Sequence, residues 1–267
     1  MPNADRRPRR RPRGAALLFT VWATAMLTLI IGGYALVAHV EHLQARNLFD
    51  TTRARYLAEA GLHRVVLEMR LPDPALRWIP DGRPYTFEID GVAIEVAITD
   101  ESGKLDLNIS DEATLVNFLR GKGVEELQAQ ELAHAIMDWR DPDDTPMPLG
   151  AESADYRSAG YPYGAKNAYF DTVAELQQVM GVTYELYREL EPAVTVYAGR
   201  MQPNAAYASA DALLALPGMT PEMAAEFVAQ RREMPLGDPA MAGLLTLPDG
   251  TPVMAGGGGF TYSVRSK

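Results

Sequence analysis

The stretch GAALLFTVWATAMLTLIIGGYALVA, Gly14–Ala38, decides how the rest of the chain is read. From Ala15 to Ala38 no residue carries a charge, and Val21-Trp22 and Met26 to Ile31 form the apolar centre. At about 1.5 Å of rise per residue, a helix of this length passes a hydrocarbon layer of roughly 30 Å. On its amino side, residues 1–14 hold six Arg and one Asp, a net +5. The other 253 residues must then carry −15 for the total to reach −10. Arginines before the span and acidic mass after it place the amino end in the cytoplasm and export the bulk. A cleaved secretory signal has a shorter apolar core and a small-residue cut site. Here His39-Val40-Glu41-His42 follows directly, so residues 15–38 read as a single-span anchor.

The helical pattern runs on beyond the span. Residues 39–71 contain no Pro and one Gly, with Leu57, Ala60, Gly61, Val65 and Met69 near helical spacing. Leu71-Pro72-Asp73-Pro74 ends the run, because proline lacks a donor and clashes with the preceding turn. Tyr85, Phe87 and Ile89 then alternate with polar residues, as do Val92, Ile94, Val96 and Ile98, and Asp90-Gly91 joins the two runs. That pattern predicts a hairpin with one apolar face, which the second half of the long helix is placed to cover. Phe260 to Val264 predicts a third strand, with Gly256 to Gly259 as a flexible lead-in. The fold class expected is α+β: a long N-terminal helix on a small antiparallel sheet (72–99 and 240–267), with a large all-helical insertion (100–239).

Within the insertion, Ser110 is a candidate N-cap ahead of Leu115, Phe118 and Leu119. Ala129, Leu132, Ala133 and Ile136 follow at helical spacing. Thr183 precedes Leu186, Tyr187 and Leu190, and Thr220-Pro221 precedes Ala224, Phe227 and Val228. A weak internal repeat pairs Gly103-Lys104-Leu105-Asp106-Leu107-Asn108 with Gly199-Arg200-Met201-Gln202-Pro203-Asn204. It also pairs Leu176 to Thr183 with Leu213 to Thr220.

A chain without cysteine has no disulfides, thiolate metal sites or cysteine nucleophiles. The four histidines stand in no recognisable hydrolytic motif, and there is no glycine-rich phosphate loop, so no enzyme is expected. One constellation has coordination potential: Asp138, Asp141, Asp143, Asp144, Glu152 and Asp155, interrupted by Pro142, Pro146, Pro148 and Gly150. Oxygen ligands on an irregular loop suit calcium, though EF-hand spacing is absent and a solvated acidic loop is the alternative. Asp141, Asp143 and Glu152 are the first candidates.

Three resemblances organise these observations. A short basic leader, Gly14 and an uncharged helix resemble a type IV prepilin leader, which implies cleavage by prepilin peptidase after Gly14 and methylation of Ala15. The segment Tyr56 to Leu62 resembles the alanine-rich stretch of prepilin-like proteins. Adding Gly-Lys-Leu-Asp-Leu-Asn (103–108), Met137 to Asp144, Gly150 to Tyr156, Ala165-Lys166-Asn167, Val173 to Leu176 and Leu216 to Thr220, the chain resembles the minor pseudopilin K family of type II secretion. Phe19 stands at the fifth mature position, where most pilin-like proteins carry glutamate, and K-type subunits share that departure. The resemblance implies a non-enzymatic, single-pass protein of the bacterial inner membrane, its C-terminal domain periplasmic, at the tip of the pseudopilus where it helps initiate assembly. It implies as partners the other minor pseudopilins (I, J and H types), the major pseudopilin, prepilin peptidase and the inner-membrane assembly platform, with secreted cargo left open. It also implies calcium in the helical domain. The alternative is a minor pilin of a type IV pilus, which shares the anchor and Ala58-Glu59-Ala60-Gly61 but is not expected to carry the insertion. Leu214 to Ala224 further resembles the helix-hairpin-helix of DNA-binding competence proteins. Thr220 replaces that motif's second glycine and Glu222 and Glu226 follow, so no nucleic-acid partner is expected.

Overall fold

The computed structural model describes residues 13–73, 76–233, 245–253 and 258–267. The predicted leader through residue 12, residues 234–244 at the end of the insertion, and Gly256-Gly257 lie outside the described residues. The chain divides into two compact units, Met1–Leu57 and Ala58–Lys267.

The described part of the first unit is helix. α1 (Arg13–Met69) is unbroken, and its apolar stretch is long enough to cross a membrane with none of it buried. Its threonine hydroxyls are internally satisfied, as a lipid environment requires: Thr20, Thr24 and Thr28 donate to the carbonyls of Leu17, Val21 and Thr24. α1 stops at Met69, just ahead of the Pro72 break.

In the second unit, β1 (Asp81–Ile89), β2 (Val92–Asp100) and the last strand form an antiparallel sheet. Asp90 (φ 50°) and Gly91 (φ 74°) turn the hairpin in the left-handed region that Asp and Gly tolerate. Register puts Tyr85 opposite Val96, Phe87 opposite Ile94 and Ile89 opposite Val92 on one face. The last turns of α1 cover that face. A Cβ on Gly61 would lie 3.0 Å from Val96 Cγ1 and 2.2 Å from Ser266 Oγ, so the helix lies this close only because residue 61 has no side chain. Arg64 sits 5.9 Å from the ring centres of both Trp78 and Phe87, and Trp78 stacks on Tyr85 at 4.4 Å.

The insertion follows. β3 (Leu105–Asp106), α2 (Glu112–Gly121), α3 (Glu126–Arg140), α4 (Ser153–Ser158), α5 (Tyr184–Leu190), β4 (Val194–Thr195), α6 (Ala210–Leu213) and α7 (Pro221–Glu233) enclose one apolar core. The expected positions fill it: Leu115, Phe118, Leu119, Ala129, Leu132, Ala133 and Ile136 are all buried. β3 and β4 pair in parallel, so a minimal two-residue ladder interrupts the predicted all-helical character. The α2 cap falls one residue later than predicted: Asp111, not Ser110, accepts from Thr114 N at 2.9 Å. Thr183 caps α5 and Thr220 accepts from Met223 N ahead of α7. In α7, Arg231 is fully buried and donates to Ala205 O, so this arginine of the hairpin does not face solvent.

The two copies of the internal repeat abut. Asn204 N donates to Ser102 O, Gly199 N donates to the Asp106 carboxylate at 2.7 Å, and a Cβ on Gly103 would stand 2.7 Å from the Tyr207 carbonyl carbon.

Strand β5 (Tyr262–Ser266) closes the sheet against β2, two residues nearer the C-terminus than Phe260 to Val264. The shift has a local cause. Gly259 N donates to the Asp100 carboxylate at 2.9 Å, and Thr261 O accepts from Glu101 N, leaving Phe260 exposed between these grips. Side chains at Gly258 or Gly259 would meet Asp100 oxygens at 2.6 and 2.8 Å, so these two glycines serve close approach rather than slack. Of the segment assigned to the sheet at 240–267, Leu245, Leu247 and Val253 instead pack against the helical core.

Candidate metal centre

Asp138 lies four residues after His134 on the inward face of α3, and both are buried. The helix is anchored at its end: Trp139 packs among Tyr156, Tyr163 and Phe170, and Arg140 donates to the carbonyls of Leu107 and Ser110. Pro142 cannot continue the helix. The chain loops out and returns, so that Met147 N donates to both Asp138 oxygens at 3.2 Å. Gly150 then crosses directly over Asp138; a Cβ there would fall 1.9 Å from Oδ2. Two residues on, Glu152 forms the N-cap of α4, its backbone N–H donating to Asp155 Oδ2 at 2.9 Å.

This path brings three of the six acidic candidates together. Asp138, Asp141 and Glu152 each offer an oxygen, all within 4.8 Å of one another. Glu152 is 2% exposed, and its carboxylate has no partner beyond loose capping contacts with backbone N–H groups at the start of α4; Asp141 Oδ1 is buried without a partner. Buried oxygens without partners are costly in any protein interior. The cluster shows that cost electrostatically. Burial, then Asp138, then Asp141 push the Glu152 carboxyl up to about 7. Burial also raises Asp138, with Asp141 adding to it, and burial and Asp143 raise Asp141.

The other three have separate duties. Asp143 Oδ1 accepts from Thr145 N, Asp144 accepts from Asn167 Nδ2, and Asp155 holds the Glu152 backbone. Two residues to which the sequence assigned no part in the site shape the loop: Gly150, through its contact with Asp138, and Asn167. Asn167 has φ +52° and ties the Asp143 carbonyl to the Asp144 carboxylate. Gly150 was legible as a breaker among prolines, but its neighbour was not.

Chemically, such a triad holds protons or a cation. Oxygens sharing one calcium at about 2.4 Å lie no more than roughly 5 Å apart, so the spacing fits a hard divalent ion, as does the all-oxygen donor set.

Residues 103–199, which include the whole triad, match the family model described as type II secretion system (T2SS), protein K. The chain is 27% identical over 211 residues to a type II secretion system protein K of Pectobacterium carotovorum subsp. carotovorum. That alignment covers 70% of this chain and 63% of the relative. It is 29% identical over 209 residues to the protein of the same name from Klebsiella pneumoniae, covering 70% and 64%. The match thus spans less than two thirds of the length of these relatives. Among solved structures, one chain of the GspK-GspI-GspJ complex from the enterotoxigenic Escherichia coli type 2 secretion system aligns with TM-score 0.49 and 18% identity. It covers 86% of this chain and 87% of that one.

Proposed function

We propose that this chain, which matches the type II secretion system protein K family model at residues 103–199 and resembles proteins of that name, is a minor pseudopilin at the pseudopilus tip. The observation that carries this reading is a protein K domain inserted into a scaffold of one long, apolar N-terminal helix and a small antiparallel sheet. The insertion between β2 and β5 is bulky for a subunit repeating along a thin filament, which supports a place at its end. Phe19, where a carboxylate would meet the amine of a neighbouring subunit, supports the same place. The protein is then anchored once in the inner membrane, amino end inward by its arginines, with the second unit in the periplasm. Its partners are the I-, J- and H-type minor pseudopilins, the major pseudopilin, the assembly platform and prepilin peptidase. Its role is assembly, not catalysis.

Asp138, Asp141 and Glu152 are proposed to hold calcium, which would supply positive charge to a cluster that has only Arg140, beside Asp141, to offset it; Asp143, Asp144 and Asp155 order the loop around them. Full chain in detergent should melt higher with millimolar calcium than with a chelator, and identical melting would remove the metal. Intact mass with and without co-expressed prepilin peptidase tests the assignment itself. A peptidase-dependent product starting at Ala15 and heavier by one methyl is expected, and Gly14→Ala should abolish it. An unprocessed chain in both samples would refute the reading.

A further inference from the structure

α1 continues without a break from the apolar span into residues that carry charge, and the first of these are unevenly distributed around its axis. At roughly 100° per residue, His39, His42 and Arg46 fall within about 60° of one another, while Glu41 points to the opposite side. All three are exposed, and none is engaged in an ion pair or hydrogen bond among the described residues. Asp50 joins the same face one turn farther from the span.

Depth gives this face its meaning. The 24 uncharged residues Ala15–Ala38 reach past the hydrocarbon core, so His39 and His42 emerge among the headgroups. Arg46 starts higher, but helical side chains lean toward the N-terminus, here back toward the bilayer, and its long stem lets the guanidinium reach down. Two imidazoles and a guanidinium thus converge on the layer where phosphate oxygens lie, with Glu41 turned away and Asp50 one turn farther from the bilayer. We propose that His39, His42 and Arg46 form a docking face for anionic phospholipid headgroups, fixing the height and rotation of the helix before it leaves the membrane. The proposal rests on the anchor reading but not on which leaflet the face meets.

The test uses the full chain in vesicles of phosphatidylcholine with and without phosphatidylglycerol, followed by native mass spectrometry of the retained lipids. Near a surface one Arg contributes about 1 kcal/mol, roughly a fivefold preference, and the imidazole N–H groups add hydrogen bonds to phosphate oxygens. The wild type should therefore retain phosphatidylglycerol at least several-fold more than His39→Gln/His42→Gln/Arg46→Gln, whereas Glu41→Gln should match the wild type. Because the leader arginines are intact in every variant, the difference reports the exposed face alone. Equal retention by wild type and triple variant, in chains that float with the vesicles, overturns the proposal and leaves the anchor standing. A chain that does not float with vesicles overturns both.

Discussion

Removing the charge from Glu152 should flatten how the protein responds to pH in chelator. With its carboxyl raised from an ordinary 4.5 to about 7, the folded chain holds a proton that the unfolded chain has released between those values. Stability in metal-free buffer must then fall as pH rises through that window, with the penalty complete above 7. The shift corresponds to about 3 kcal/mol at roughly 1.4 kcal/mol per pH unit. For a unit of this size that is a loss of roughly 6–12 °C in melting temperature. Asp138 and Asp141 are raised too and push in the same direction. Asp81, Glu101 and Asp111 are lowered, so their opposite contributions are spent below the window. The assay is thermal unfolding of the full chain in detergent with chelator, at pH 5, 6, 7 and 8, for wild type and Glu152→Gln. The wild type should lose stability with rising pH, and the variant should lose far less and be the more stable of the two at pH 8. Calcium should rescue the wild type only. A wild-type melting temperature that is flat or rises from pH 5 to 8 would refute the reasoning, as would an equal slope in the variant.

Other substitutions probe the scaffold. Gly103→Ala places a methyl against the backbone of Tyr207 and Ala208, which cannot rotate away, and should cost about 1–3 kcal/mol or more, seen as lowered urea resistance. Asp111→Ala removes the α2 cap at Thr114 N and should cost about 1 kcal/mol in the same assay. Arg231 is fully buried beside Asp81, which keeps Arg83 as its closer partner, but Arg231→Met takes the donor from the Ala205 carbonyl and should cost about 1–3 kcal/mol. Arg231→Ala leaves a cavity and should cost about 2–4 kcal/mol.

What could be read from sequence follows the range of the interactions concerned. α1 and the Asp90-Gly91 hairpin are encoded in residues a few positions apart, so periodicity and turn chemistry sufficed. The buried faces of α2 and α3 were legible for the same reason. β3 and β4 were not, because a two-residue ladder between Leu105 and Val194 has no local signature. The shift of β5 depends on Asp100 and Glu101 gripping residues about 160 positions away. In the acidic loop, sequence supplied all six carboxylates but ranked Asp143 above Asp138. The ranking turned on a fact of the loop's path: Pro142 and Gly150 return the chain over the inward face of α3, where Asp138 follows His134 by one helical turn. Asp143, on the outward swing, meets Thr145 instead.

The abutting repeats bear on where this chain can be cut. Kinship marks residues 103–199 as a module, but those limits are not limits of autonomous folding. Ser102 and Gly103 are closed by Asn204, Tyr207 and Ala208, and Gly121 of α2 lies against Leu214. Ala205, Ala208, Leu213 to Leu216 and Phe227 complete the same core as Leu115 and Phe118. A protein ended at residue 199 would lack about a third of that core and expose the remainder to water, and one begun at 200 would carry that third without its mate. During synthesis the helical body must therefore wait for the ribosome to pass α7 before it can reach a stable state. The inherited unit and the cooperative unit have different boundaries, and trimming this protein to the former would yield a fragment that aggregates.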